Sequence, residues 1–241
     1  MKSNSFYEGI FLRRPNRFIA DVLWDNHEIQ VHVPNTGRCK ELLTPGAELL
    51  LLEGVGLKRK TRFSLNYVKN RGVWVNLHSA KANEVVWNGL KENRISEIPM
   101  PTDIKREVSY GKSRIDLYCQ SGNEEVFIEV KGVTLLQEGW LEFPDAPTLR
   151  GTKHLEELIG IKEEGHRAVV IFVSQHPLGK KFKPNWDGDP IFAQTLTRAV
   201  EHGVEVLVYS ASNEPGEYTI KGKAIPYTLE EGATSEFVHQ T

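Results

Sequence analysis

SRIDLYCQSGNEEVFIEVKG, residues 113–132, reads as two strands joined by a two-residue turn. Gly122-Asn123 is a hairpin loop signal, and apolar residues alternate on either side of it. With that loop, Asp116 lies opposite Glu129, Arg114 opposite Lys131 and Tyr118 opposite Phe127. Side chains alternate along a strand, so Val126, Ile128 and Val130 face a core while Phe127, Glu129 and Lys131 face the other way. Directly opposed residues have Cβ atoms about 4.5–5.5 Å apart, which brings the Asp116 and Glu129 carboxylates together. Two like charges that close are costly without a cation, a proton or a partner of opposite sign. A hard divalent cation held by one or two carboxylates is one resolution. A solvated checkerboard, with Arg114–Glu129 and Asp116–Lys131 as diagonal pairs, is the other.

Upstream, residues 1–80 break into short apolar segments: GIFLRR, FIADVLW, EIQVHVP, AELLLLEG, RFSLNYVKN and GVWVNLHS. Turn chemistry separates them (RPN, DNH, PNTGR, TPG, RG). Strands this short, with no long helix, predict a small barrel of the oligonucleotide-binding (OB) kind. From residue 81 the pattern changes to α-β-β-β-α-β-α-β, an α/β domain with a mixed sheet. Val85, Val86, Trp87, Leu90 and Ile95 make the first helical stripe, with Asn83 placed to cap it. Thr148 caps a second helix, which buries Leu155, Leu158 and Ile159 and stops at Gly165. DPIFAQTLTRAVEHG is a third helix with proline early and glycine as its stop. The tail EYTIKGKAIPYTL reads as a hairpin, and residues beyond about Glu230 as a loose end. The expected division is therefore an OB-like domain at 1–80 and an α/β domain at 81–241.

Of 241 residues, 26% are charged and the net charge is −2, which excludes a histone-like binder. The charge is unevenly spread: residues 1–80 carry 12 Lys+Arg against 7 Asp+Glu, and the rest is acidic. A basic first module suits a polyanion. No run approaches the roughly 18 apolar residues of a membrane helix, and the first residues lack the apolar core of a signal peptide. Cys39 and Cys119 have no metal or redox spacing, as expected of buried thiols in a reducing cytoplasm. There is no Ser/His/Asp or Cys/His nucleophile pattern, no phosphate loop, and no paired zinc spacing among the eight histidines.

Basic clusters supply candidate nucleic-acid contacts. LRRPNRF offers Arg13, Arg14 and Arg17, PNTGR offers Arg38, and LKRKTRF offers Lys58, Arg59, Lys60 and Arg62. Two of these clusters join cations to an aromatic, the mixture that follows a backbone and stacks a base. Arg150, Lys153 and His154 crowd the first turns of the second helix, where the dipole disfavours cations unless a phosphate visits.

RPNRFIADV, VHVPNTGR…LLTPG, SRIDLYC…FIEVKGVTL, FPDAPTLRGTKHLEEL and GVEVLVYS together resemble the sugar fermentation stimulation protein A (SfsA) family, from about Gly9 to Tyr227. The resemblance implies an N-terminal OB-like domain, a C-terminal domain like the PD-(D/E)xK nucleases, DNA binding, and a link to regulation of sugar-metabolism genes; RNA stays open as a second candidate partner. In that pattern Asp116 takes the Asp position, Glu129 the acidic position and Lys131 the lysine. Asp116, Glu129 and the Val130 carbonyl would hold Mg²⁺ or Mn²⁺, and Arg150 and Lys153 would position the backbone. Nucleases of this kind often add an acid from the preceding helix; here the position facing the site is expected to be Asn88, with Glu84 and Glu92 a turn either way. Two functions follow: a Mg/Mn-dependent nuclease, or a non-catalytic DNA-binding regulator that keeps the nuclease fold.

Overall fold

Alternating apolar residues in the first part of the chain close into a barrel. The computed structural model describes residues 5–35, 37–54, 59–111, 113–212 and 214–233. Strands β1 (Phe6–Asn16), β2 (Ile19–Trp24), β3 (His27–His32), β4 (Glu48–Glu53), β5 (Phe63–Asn70) and β6 (Val73–Asn76) are ordered β3-β2-β1-β4-β5-β6. A β3–β5 bridge, His32 to Ser64, closes the first five into the OB barrel, and β6 extends it. Phe11, Val22, Leu49, Leu51, Phe63 and Leu65 fill the interior. Asp25 and Asn26, both left-handed at φ 50° and 61°, form the two-residue turn between β2 and β3. That twist matches the flanking strands.

The rest of the chain folds as a mixed α/β sheet with helices on both faces. It comprises α1 (Lys81–Lys91), β7 (Thr102–Tyr110), β8 (Ser113–Ser121), β9 (Glu124–Val133), β10 (Leu135–Gln137), β11 (Trp140–Phe143), α2 (Leu149–Glu163), β12 (Arg167–Ser174), β13 (Lys181–Pro184), α3 (Pro190–Glu201), β14 (Glu205–Ala211) and β15 (Ile220–Lys221). The main sheet is ordered β15-β14-β12-β9-β8-β7, with β9, β12 and β14 parallel. Val126, Ile128 and Val130 pack with the α1 residues Val85, Val86 and Leu90. Phe127 and Tyr118 pack on the other face, with Leu155, Leu158 and Leu196 of α2 and α3. The 113–132 hairpin has the expected register, Ser121 pairing with Glu124 and Tyr118 with Phe127, and Gly122 supplies the turn's positive φ of 59°.

The starts of α2 and α3 follow the sequence. Thr148 accepts from the Gly151 amide at 3.0 Å, and Asp189 caps α3 ahead of Pro190 through the Phe192 amide. Asp189 also accepts from the Thr148 amide at 2.8 Å, so the two helix starts sit side by side. Two expectations are corrected, and one hairpin had no counterpart in the sequence reading. Ala80 is the N-cap residue of α1, and Asn83 lies inside the helix. The tail does not fold back on itself: β15 joins β14, and Tyr227 bridges to Phe182. LLQEGWLEF forms a tight hairpin whose second strand, β11, runs parallel to β13, making a small separate sheet.

The barrel and the sheet are joined by specific bonds. The Gln175 side-chain amide donates to the His78 carbonyl at 3.1 Å, and the Asn76 amide to the Gln175 carbonyl at 3.3 Å. Asp145 accepts from the Cys39 amide at 3.2 Å, and the Tyr67 hydroxyl from the Gly216 amide at 3.0 Å.

Candidate active site

The β8–β9 ladder stops at Leu117–Ile128, one pair short of Asp116 and Glu129. Asp116 is also passed over in the β7–β8 ladder, where its would-be partner Glu107 is left-handed at φ 54°. Alternation breaks at this point: Ile115 packs with Tyr118 and Phe127 rather than with Leu117. The strands part, and the Asp116 side chain bridges the gap by accepting from the Val130 amide at 3.0 Å. In a strand the N–H and C=O of one residue turn to the same neighbour, so the Val130 carbonyl is aimed at the Asp116 edge. The other Asp116 oxygen accepts from the Asn83 side-chain amide at 2.9 Å.

Glu129 is buried, its side chain 2% exposed. Its Oε1 takes Lys131 Nζ at 2.6 Å and His154 Nδ1. His154 Nε2 lies 3.3 Å from the Arg150 Nε–H and accepts from it, leaving the ring proton on Nδ1 for Glu129. Glu129 Oε2 is buried and has no hydrogen-bond partner among the described residues. Burial, then the neighbouring Glu129 charge, pushes the Asp116 carboxyl above its usual range. Burial pushes Glu129 the same way, but the His154 hydrogen bond and the Lys131 charge outweigh it and hold Glu129 below the glutamate range.

These groups line one cleft of about 510 Å³. Its walls come from α1 (Asn83), β9, the Glu142–Thr148 segment, the first turns of α2 (Arg150, His154) and the barrel loop at Asn35 and Gly37. The donor set facing it is oxygen, from two carboxylates and one strand carbonyl, which suits a hard divalent cation rather than zinc. The orphaned Glu129 oxygen fits that group. Among the described residues no group of three or more His, Cys, Asp or Glu could hold a metal, so further ligands would be main-chain carbonyl, water or substrate oxygens.

Asp116, Glu129, Val130, Lys131 and Arg150 meet in the cleft. Asn88 does not: its amide donates to the Tyr218 carbonyl at 2.8 Å. Glu84 pairs with Lys81 and Glu92 with Arg94, so the α1 residue at the site is Asn83, and no α1 acid joins it. Arg114 pairs with Glu107 and does not meet Lys131. Lys153 turns to Glu157 at 3.4 Å. In the barrel, Arg13 pairs with Asp21 and Glu28, and Arg62 with Glu53. Arg14 donates to four backbone carbonyls, and Arg59 to Ser64 Oγ. Lys60, Arg17 and Arg38 are exposed, and Lys58 lies outside the described residues. The sequence reading placed His154 among the phosphate-facing cations but missed its bond to Glu129. Its position four residues after Arg150, on the same helix face, was the available signal.

Residues 12–77 match the SfsA N-terminal OB domain, and residues 80–217 the sugar fermentation stimulation protein RE domain. A sugar fermentation stimulation protein homolog of Methanobrevibacter smithii is 46% identical, covering 93% of this chain and 98% of its own. One of Alkaliphilus oremlandii is 49% identical over 90% of this chain and 94% of its own. The structure of Pyrococcus furiosus SfsA in complex with Ca²⁺ superposes with a TM-score of 0.86 at 30% identity, covering 95% of this chain and 98% of that one. With both domains matched in order and relatives this similar along nearly its whole length, the chain belongs to the sugar fermentation stimulation protein (SfsA) family.

Proposed function

We propose that the cleft is a divalent-metal-dependent phosphodiesterase site acting on nucleic acid, DNA first and RNA second. The observation that carries this reading is the unpartnered Glu129 oxygen, buried beside a second carboxylate whose own charge is disfavoured there. Lys131 offsets one of the two charges, and a metal cation between the free Glu129 oxygen and Asp116 would offset the other. The Ca²⁺ complex of the Pyrococcus furiosus relative supports the same assignment.

Asp116, Glu129 and the Val130 carbonyl would hold Mg²⁺ or Mn²⁺, which when bound supplies Lewis acidity toward a phosphodiester oxygen and lowers the pKa of a bound water. Asn83 and the Val130 amide fix the Asp116 carboxylate. His154 and Lys131 fix Glu129. Lys131, held at the cleft wall with its side chain 12% exposed, is placed to orient the attacking water or to neutralise charge growing on the phosphate. Arg150 presents a fork of donors to a phosphate from the start of α2. Cleavage of DNA or RNA that needs Mg²⁺ or Mn²⁺, stops in EDTA and is lost in Glu129→Gln is the expected result; cleavage that survives EDTA would overturn it.

One observation favours a second reading. Helix α1 contributes Asn83 to the site and no acid, so the ligand set is small. A DNA-binding regulator of sugar-metabolism genes that retains the fold without catalysis would tolerate that. It predicts binding with no cleavage under any divalent metal.

A further inference from the structure

We propose that the barrel carries a track for single-stranded nucleic acid that leads from Phe18 into the cleft, a proposal that rests on the phosphodiesterase reading and names the form of its substrate. A groove of about 280 Å³ runs along the barrel, lined by Arg14, Asn16, Arg17, Arg38, Lys40 and Leu43, with no acid among its residues. Gly37 lines this groove and also the cleft that holds Asp116 and Glu129, so the two adjoin at that residue.

The cations of the first domain fall into two sets. Arg13, Arg62 and Lys69 are paired with Asp21 and Glu28, Glu53 and Glu48. Arg14 is internal scaffolding: its guanidinium donates to the carbonyls of Arg17, Asn35, Gly37 and Arg38, each at 2.7 Å, and so shapes the groove. Arg17, Arg38 and Lys40 are exposed and form no ion pair with a carboxylate among the described residues. Three unpaired cations around an acid-free groove leave a positive strip that a phosphate backbone can neutralise.

Phe18 adds the second feature. The residue is 46% exposed on the turn between β1 and β2, and the Arg17 guanidinium lies over its ring, 4.8 Å from the centroid. Asn16 Oδ1 accepts from the Phe18 and Ile19 amides at 2.9 and 3.1 Å, which holds that turn in place. An exposed ring with a guanidinium over it, on a turn held in place, is a surface on which a base can stack, and stacking needs a base whose face is free. Bases in a duplex have both faces covered by their neighbours. The geometry therefore selects an unpaired strand.

The test is fluorescence anisotropy of the full chain in EDTA, which keeps cleavage out of the measurement. The probes are labelled oligo-dT, oligo-U and a duplex of equal length, over a range of salt. The single strands should bind at least tenfold tighter than the duplex. Phe18→Ala should weaken them about tenfold, the loss of one stacked base. Arg17→Ala with Arg38→Ala should flatten the slope of log K against log salt by about 1.4, two phosphate contacts on a single strand. Lys69→Ala should change neither, and unchanged melting temperatures would show that the variants fold. Equal binding of duplex, or single-strand binding that ignores both Phe18 and the arginine pair, overturns the track. Adding Mg²⁺ or Mn²⁺ then separates the two proposals: single-strand binding without cleavage keeps the track and removes the enzyme, while cleavage of duplex without the track does the reverse.

Discussion

Glu129 is the residue on which the site turns, because its two oxygens have different surroundings. One is shared by Lys131 and His154; the other is buried with no partner among the described residues. His154 acts through Glu129, so His154→Ala should lower kcat for phosphodiester cleavage by ten- to a hundredfold, in line with groups that orient metal ligands, while KM for nucleic acid changes less than threefold. A metal titration of the same variant should show weakened affinity; unchanged affinity together with unchanged kcat would leave His154 as packing alone. Lys131→Ala should differ: cleavage falls a hundredfold or more, metal binding persists, and strand binding stays within a few-fold. In Asp116→Asn the rise in melting temperature that Ca²⁺ or Mn²⁺ gives the native protein should disappear, since only the folded site binds the ion.

At the scale of elements, Arg14 holds the carbonyls of Asn35, Gly37 and Arg38 and, on the β1–β2 turn, that of Arg17. Arg14→Ala should destabilise the protein by about 2 kcal/mol, the lost bonds to a charged group partly replaced by water, and lower the melting temperature on the order of 5 °C. Arg17→Ala, at an exposed residue without a carboxylate partner among the described residues, should leave the melting temperature where it was. The same scale shows what could be read from the sequence. The 113–132 hairpin was legible because Gly122-Asn123 and strict alternation agree, and the caps at Thr148 and Asp189-Pro190 because each carries its own chemistry. The facing of α1 was not. Its apolar stripe fixes the buried side, but Asn83 and Asn88 both flank that side, and only the neighbours, Asp116 and the Tyr218 carbonyl, decide which meets the site. The parting of β8 from β9 was hidden as well, because an ideal register places Asp116 opposite Glu129. The left-handed Glu107 on the adjoining strand, which leaves Asp116 without a partner there, has no mark in the sequence.

At the scale of the whole molecule, the barrel and the sheet meet where His176 is buried. Its Nδ1 faces the Leu178 amide and its Nε2 faces Asn70 of the barrel, both at 3.4 Å. Burial, helped by the Arg71 charge, lowers its pKa from 6.5 to about 4. As pH falls, the unfolded chain therefore takes up this proton before the folded one does. The stability that neutral His176 supports is complete above about pH 6.5 and is lost between there and pH 4, up to about 3 kcal/mol. Denaturant unfolding at pH 7 and pH 4.5 should show a smaller loss of stability in His176→Gln than in the native protein; equal losses would mean that other groups carry the acid sensitivity. His78, lowered to about 4 by burial and Lys81, should add to the same slope.

The most direct test of the account is cleavage of labelled single-stranded DNA, duplex DNA and RNA by the native protein, Asp116→Ala and Lys131→Ala, each with Mg²⁺, Mn²⁺ or EDTA, with binding followed in the same samples. The account predicts cleavage that needs Mg²⁺ or Mn²⁺ and vanishes in both variants while binding persists. Binding without cleavage by the native protein under every metal would contradict it, and would leave Asp116 and Glu129 as a structural pair in a nucleic-acid-binding protein.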